Sequence, residues 1–137
     1  MCGKIGGGPT GVTEHADPSK SQWFAACSAN GARMYPYGTA YDGNKCNGAD
    51  YPTTGVLAVG SAAGCEGGFS GLRDLSGNVW EWEDSCSANT GANDTCHARG
   101  GYYDSTPDPL RCDYDQRFYR NAASVTDGYL GFRCCSL

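Results

Sequence analysis

Two carboxylates, Asp74 and Glu81, flank the segment Leu75-Ser76-Gly77-Asn78-Val79-Trp80. Acidic side chains on either side of a glycine-containing turn, with backbone carbonyls able to point inward, make an oxygen-donor set for a hard cation such as calcium. The plainer alternative is a pair of solvated acids on a loop. A second chemistry lies in the 9 cysteines of this 137-residue chain. None forms a CxxC pair with zinc-finger spacing, so they read as a disulfide framework with one thiol left over, which favours an exported or surface compartment. The vicinal Cys134-Cys135 is either redox-active or the anchor of a structural bridge. Only His15 and His97 offer imidazoles. With His15 in a glycine-rich opening and His97 beside Cys96, no Ser-His-Asp triad is suggested.

A third signal is compositional. The 28 residues from Tyr102 to Tyr129 contain five Tyr, five Asp, two Ser and one Asn. Tyrosine supplies rigid amphipathic contact area and small polar residues adapt around it, as in a paratope. Tyr102, Tyr103, Asp104, Ser105, Asp113, Tyr114, Asp115 and Tyr119 are therefore expected to face a protein or glycan ligand. An ordinary Tyr/Asp-rich surface loop is the alternative.

These groups need elements to hold them. Asp17-Pro18 is a good N-cap and first-turn pair, and predicts a helix through Lys20, Trp23, Phe24 and Cys27 that ends near Asn30-Gly31. From Tyr35-Pro36-Tyr37-Gly38 to Gly71 the sequence is turn chemistry, read as long pinned loops. Short strands are expected at Val79–Trp82, Ala98–Tyr103 and Tyr129–Cys134. In the first of these, alternation puts Trp80 and Trp82 on one face and Glu81 on the other. Leu, Ile, Val and Phe number only 16 of 137 residues, so the core needs disulfides, a metal or both to offset chain entropy. The pattern predicts a single small α+β domain spanning residues 1–137, with one main helix, a short antiparallel sheet and much irregular loop.

With 15 acidic against 10 basic residues, net charge −5 and no Lys/Arg cluster, nucleic acid is not an expected partner. The longest uncharged stretch, Tyr51 to Cys65, is rich in Gly, Ala, Thr and Ser, so no membrane span is expected. Met1 runs directly into Cys2-Gly3-Lys4-Ile5 without the apolar segment of a signal peptide.

Four blocks then occur in order: Tyr35-Pro36-Tyr37-Gly38, Gly71 to Trp82 (GLRDLSGNVWEW), Arg99-Gly100-Gly101, and Gly131-Phe132-Arg133-Cys134. Together they resemble the formylglycine-generating enzyme (sulfatase-modifying factor) family from about residue 21 to 135. The resemblance implies an elaborated C-type-lectin-like fold, shared with the variable proteins of diversity-generating retroelements. In those, this stretch of the fold is diversified to Tyr, Asp, Ser and Asn. It also implies an N-terminally trimmed core and a structural calcium held by Asp74, Glu81 and the carbonyls of Gly77 and Val79, with a weaker second calcium site at Asn47 and Gly48. The family's oxidase holds copper(I) on two cysteines, a choice that suits a soft ion. The corresponding places here are Ser105 and Leu110, so copper is not expected and no catalytic residue is assigned. Cys112 matches a family cysteine disulfide-bonded to the helix cysteine, here Cys27. Loop closure suggests Cys46 with Cys65 and Cys86 with Cys96, leaving Cys2, Cys134 and Cys135 with one odd thiol, although sequence alone leaves connectivity open. Two functions follow as expectations. One is a non-catalytic, calcium- and disulfide-stabilised binding domain outside the cytoplasm, extracellular, at the cell surface or periplasmic. The other is a formylglycine-generating oxidase with a degenerate copper site.

Overall fold

The computed structural model describes residues 1–121 and 128–136. Helix α1 (Gln22–Ser28) is capped by Ser21, four residues later than expected. Asp17 is diverted into a local turn, its carboxylate accepting from the Ser19 N–H at 2.8 Å and the Ser19 hydroxyl at 2.7 Å. Ser21 caps instead because its Oγ accepts from the Phe24 N–H at 3.0 Å while donating to Glu83 Oε1 at 2.6 Å. The helix ends where the sequence predicts, in a left-handed run of Ala29, Asn30 and Gly31 with φ of 52°, 58° and 85°. Gly68 is pressed against that end: a Cβ there would stand 2.3 Å from Ala29 N.

Among the described residues four strands follow, β1 (Trp80–Cys86), β2 (Thr95–Arg99), β3 (Gln116–Tyr119) and β4 (Leu130–Phe132). They form one sheet in the order β3-β2-β1-β4. β1 pairs antiparallel with β2, and β2 with β3. The β1–β4 pair is parallel, so the sheet is largely rather than wholly antiparallel. β2 ends at Arg99 instead of continuing to Tyr103 because Gly100 and Gly101 take φ of 82° and 74° and turn the chain out of the sheet. β3 falls within the Tyr/Asp-rich segment, where only four residues alternate and no strand is legible. Residues 122–127 of that segment lie outside the described residues.

Strand alternation sorts the sheet into two unlike faces. Pairing of Glu81 with Arg99 and of His97 with Arg117 puts the ionisable groups on one side. Ser21 and Trp23 of the helix region cover this side, bonded to Glu83 and Glu81. Trp80 and Trp82 stand on the other, edge-on to Phe118 at 5.8 and 6.3 Å between ring centroids. The indoles therefore do not face the helix. They build a second aromatic cluster on the outer face, with Trp80 buried and Trp82 half-buried.

The main core is small: Cys2, Trp23, Phe24, Cys27, Leu75 and Cys112, with Ala26, Leu72 and Cys135 packed against it. Disulfides Cys27–Cys112 and Cys2–Cys135 run through it, closing separations of 85 and 133 residues. Cys46–Cys65 forms the centre of a satellite cluster with Ala62, Tyr37 and Tyr51, and Cys86–Cys96 ties β1 to β2. Cys134 is free and exposed.

Glu81 is buried and carries two partners, the Trp23 indole N–H at 2.8 Å and the Arg133 fork at 3.0 and 2.6 Å. Removing the fork strands a buried carboxylate. Arg133→Ala is expected to lower unfolding free energy by about 3 kcal/mol in urea denaturation, the lower end for breaking a buried pair because Arg133 keeps some solvent access. Glu81→Gln in the same chain should recover part of it. A loss below about 1 kcal/mol would show that the pair has no structural weight.

Candidate functional site

The inner face of the sheet concentrates the ionisable groups. Arg99, fully buried, donates to the carbonyls of Cys112 at 2.7 Å, Tyr114 at 3.0 Å and His15 at 3.0 Å. Its Nε lies 3.4 Å from Glu83 Oε2, and its guanidinium sits 4.8 Å over the Trp23 ring. Burial pushes the Glu83 carboxyl up and the Arg99 guanidinium down, and each one's charge counteracts the shift of the other.

Beside Arg99 on β2, His97 is fully buried. Its Nδ1 meets Ser85 Oγ at 2.8 Å and its Nε2 meets Asp115 Oδ1 at 2.8 Å. The Arg117 Nε donates to Asp115 Oδ1 at 2.9 Å and lies 3.2 Å from His97 Nε2. His15 stacks on His97 with centroids 4.8 Å apart. The structure thus lines up Ser85, His97 and Asp115, a series the sequence did not suggest. Ser85 is fully buried, so its hydroxyl orients the imidazole and has no access to a substrate. Among the described residues, His15, His97 and Asp115 are the one group whose donor atoms converge, all within 4.8 Å. A possible signal for it was the placement of His97 two residues from Arg99 on one strand face. Nothing in the sequence tied either residue to position 15.

The expected calcium ligands are partly gathered. Asp74, Val79 and Glu81 line one cavity of about 200 Å³, together with Asn78 and Arg133; Gly77 is not among its lining residues. Asp74 Oδ2 accepts from the Gly60 N–H at 2.6 Å, and both Glu81 oxygens are engaged by Arg133 and Trp23. Gly77 instead lies against Asn47, where a Cβ would stand 2.1 Å from the Asn47 carbonyl oxygen. Asn47 donates through Nδ2 to Gly55 O and Asn78 Oδ1, while its Oδ1 is buried without a hydrogen-bond partner. Gly48 packs on Leu110.

The tyrosine-rich segment divides. Tyr102, Tyr103 and Tyr129 form a mutual cluster with centroids 5.3 to 5.5 Å apart, all half-buried. The Tyr103 N–H donates to Asn78 O and the Trp80 N–H to Tyr129 O, which fixes this cluster to the start of β1. Tyr114 is half-buried near Trp80, Asp104 is exposed, and Tyr119 is 59% exposed. Three expected ligand-facing residues are otherwise occupied. Ser105 is buried, its Oγ accepting the Tyr102 N–H at 2.9 Å, because it braces the turn after Gly101. Asp113 pairs with Arg111 at 2.7 Å, and Asp115 is held by His97 and Arg117.

Burial, with Arg99 next and His15 after it, lowers the His97 imidazole from 6.5 to about 4, against the opposing pull of Asp115. The unfolded chain takes up a proton near pH 6.5 that the folded chain resists until about pH 4. His97 thus contributes stability that is complete above this window and is lost as pH falls through it, by up to about 3 kcal/mol. Urea unfolding at about pH 7.5 and about pH 4.5 should show that loss, and His97→Gln should flatten it. An equal loss in His97→Gln would assign the dependence to other groups.

Residues 15–136 match the sulfatase-modifying factor enzyme 1-like domain. The serine/threonine-protein kinase Pkn1 of Chlamydia trachomatis serovar L2 is 33% identical over 133 residues, covering 85% of this chain and 20% of the kinase. The inactive C-alpha-formylglycine-generating enzyme 2 of Mus musculus is 31% identical over 137 residues, covering 87% of this chain and 42% of that protein. The corresponding kinase of Chlamydia caviae is 29% identical, with 20% of its length covered. The chain therefore spans a fifth of the chlamydial relatives and less than half of the mouse one. No helix among the described residues is long and apolar enough to cross a membrane, and the four disulfides fit an oxidising environment. With residues 15–136 of the chain matched by the family's domain, the chain belongs to the sulfatase-modifying factor enzyme 1-like domain family.

Proposed function

We propose that this chain is a non-catalytic recognition domain, working in an extracellular, cell-surface or periplasmic setting and binding a protein or glycan through its tyrosine-rich face. The observation that carries this reading is the pairing of the cysteines. Eight of the nine are consumed in four disulfides, and the remaining thiol, Cys134, stands alone. A copper(I) centre of the family's kind draws on two thiolates. The two matching positions are Ser105 and Leu110, both buried in the protein's interior, and Cys112 is bonded to Cys27. The residues present do not fit copper, and no oxidation step is derived through it.

Calcium at Asp74, Gly77, Val79 and Glu81 meets a similar obstacle. The Arg133 guanidinium lines the same cavity and already balances Glu81, so a dication would have to displace it. That set does not fit calcium. At Asn47 and Gly48 the unpartnered Oδ1 of Asn47 is the one atom in keeping with a cation.

The recognition surface is then the outer aromatic strip: Tyr102, Tyr103 and Tyr129 clustered at the mouth of β1, and Tyr114 beyond Trp80; Tyr119, which alternates with Phe118 on edge strand β3, projects from the other face. Rigid rings held by a disulfide-stapled scaffold lose little entropy on binding, which is what a contact surface of this composition exploits. Support also comes from the relatives. A domain of this family makes up a fifth of a protein named a kinase and part of one named inactive, in keeping with a module attached to other activities.

The test is a panel of immobilised glycans and peptides probed with the chain. Tyr103→Ala and Tyr114→Ala should each weaken retention about tenfold, while Tyr119→Ala, on the other face, keeps both retention and a melting temperature within a degree or so of the parent. In parallel, a cysteine-containing sulfatase peptide incubated with the chain, copper(I) and oxygen should keep its cysteine by mass spectrometry. Conversion of that cysteine to formylglycine would overturn the reading in favour of an oxidase.

A further inference from the structure

We propose that His15, His97 and Asp115 constitute a binding site for a divalent transition-metal ion of the zinc class, with the Arg117 guanidinium holding the cation's place until the ion displaces it. The three donors come from separate parts of the chain: the N-terminal loop, β2, and the residue just before β3. Their ligand atoms nevertheless lie within 4.8 Å of one another. Two imidazole nitrogens with one carboxylate oxygen suit zinc-like ions better than calcium or magnesium, and three protein ligands leave a fourth position open.

Outer-shell geometry supports the assignment. A metal-ligating histidine usually spends its other ring nitrogen on an oxygen that fixes the ring. Here His97 Nδ1 meets Ser85 Oγ at 2.8 Å and His15 Nδ1 meets Val12 O at 3.3 Å, so each ring has Nε2 on the side of the cluster; His97 presents it to an ion by giving up its proton and its 2.8 Å hydrogen bond to Asp115 Oδ1. The cluster also already attracts a cation. The Arg117 Nε stands 2.9 Å from Asp115 Oδ1 and 3.2 Å from His97 Nε2, a cation placed where the two ligand atoms meet. Arg117 further reaches Asp115 Oδ2 at 3.0 Å and Val12 O at 3.4 Å.

The Arg117 and Asp115 side chains are 35% and 45% exposed, so water screens that ion pair and its release costs little. Arg99, the other cation facing His97, is buried and stays balanced by Glu83. Tetrahedral bonds of about 2.0–2.1 Å require donors roughly 3.3 Å apart, so on binding the loop carrying His15 closes by about an ångström or more while His97 Nε2 and Asp115 Oδ1, now 2.8 Å apart, open by roughly half an ångström. An ion held this way bolts the N-terminal loop to the strand pair from which Tyr119 projects.

The experiment uses tag-free, oxidised protein in a Cys134→Ser background, so that the exposed thiol does not compete, with zinc(II) titrated calorimetrically and cobalt(II) followed by visible absorption. One saturable equivalent is expected near neutral pH. His15→Ala and Asp115→Asn, both at solvent-accessible positions and checked for fold by circular dichroism, should each weaken binding at least about tenfold. Arg117→Ala should tighten it several-fold at the same stoichiometry. Absence of saturable binding in both the parent and Arg117→Ala, or unchanged affinity in His15→Ala or in Asp115→Asn, overturns the site. Unchanged or weaker binding in Arg117→Ala overturns the role given to that guanidinium.

Discussion

A single buried guanidinium organises this fold. Arg99 donates to the carbonyls of His15, Cys112 and Tyr114, three points that no regular element would otherwise bring together. Its charge is met by Glu83, and Glu83 is in turn held by the Ser21 hydroxyl that caps the helix. One residue therefore couples helix, sheet and loops. Such a pair adds little net stability over a well-packed apolar substitute, yet neither partner tolerates loss of the other, because a lone buried charge is far more costly than a solvated one. Uniqueness of arrangement is what the pair supplies.

That demand for fixed geometry makes sense beside the poverty of the core. Six residues form the principal cluster and three of them are disulfide cysteines. Cross-links closing 85 and 133 residues each remove roughly 4–5 kcal/mol of chain entropy from the unfolded state in the loop-closure picture. The chain substitutes covalent and ionic constraints for the aliphatic area it lacks. Loops without secondary structure can then be held in defined positions, as at Gly77 against Asn47, where only a glycine leaves room.

The two faces of the sheet divide the labour. Charges and the one buried imidazole lie inward, toward the helix and the N-terminal loop, where low dielectric strengthens their hydrogen bonds. Aromatic rings lie outward and merge with the tyrosines that follow Gly101. Recognition and metal capture, as proposed, thus use opposite faces of one sheet, joined through β3, which carries Phe118 outward and Arg117 inward.

Much of this was legible in the residues. Ordered blocks such as GNVWEW and Arg99-Gly100-Gly101 identified the family, the dearth of aliphatics against nine cysteines required a stapled domain, and alternation separated Trp80 and Trp82 from Glu81. These are local or compositional properties, set by spacing and side-chain type. Which face of β1 would meet the helix was not: burying indoles is favourable, and only the presence of Arg99, Arg133 and Trp23 at contact distance makes burying Glu81 and Glu83 affordable. Asp115 illustrates the same limit, a residue chosen for its surface composition that the fold commits to His97 and Arg117. The helix start moved from Asp17 to Ser21 because Glu83, 62 residues away, binds the later hydroxyl. Charge compensation between distant positions is invisible to any window of sequence, since it exists only once the chain has brought the partners into one low-dielectric space.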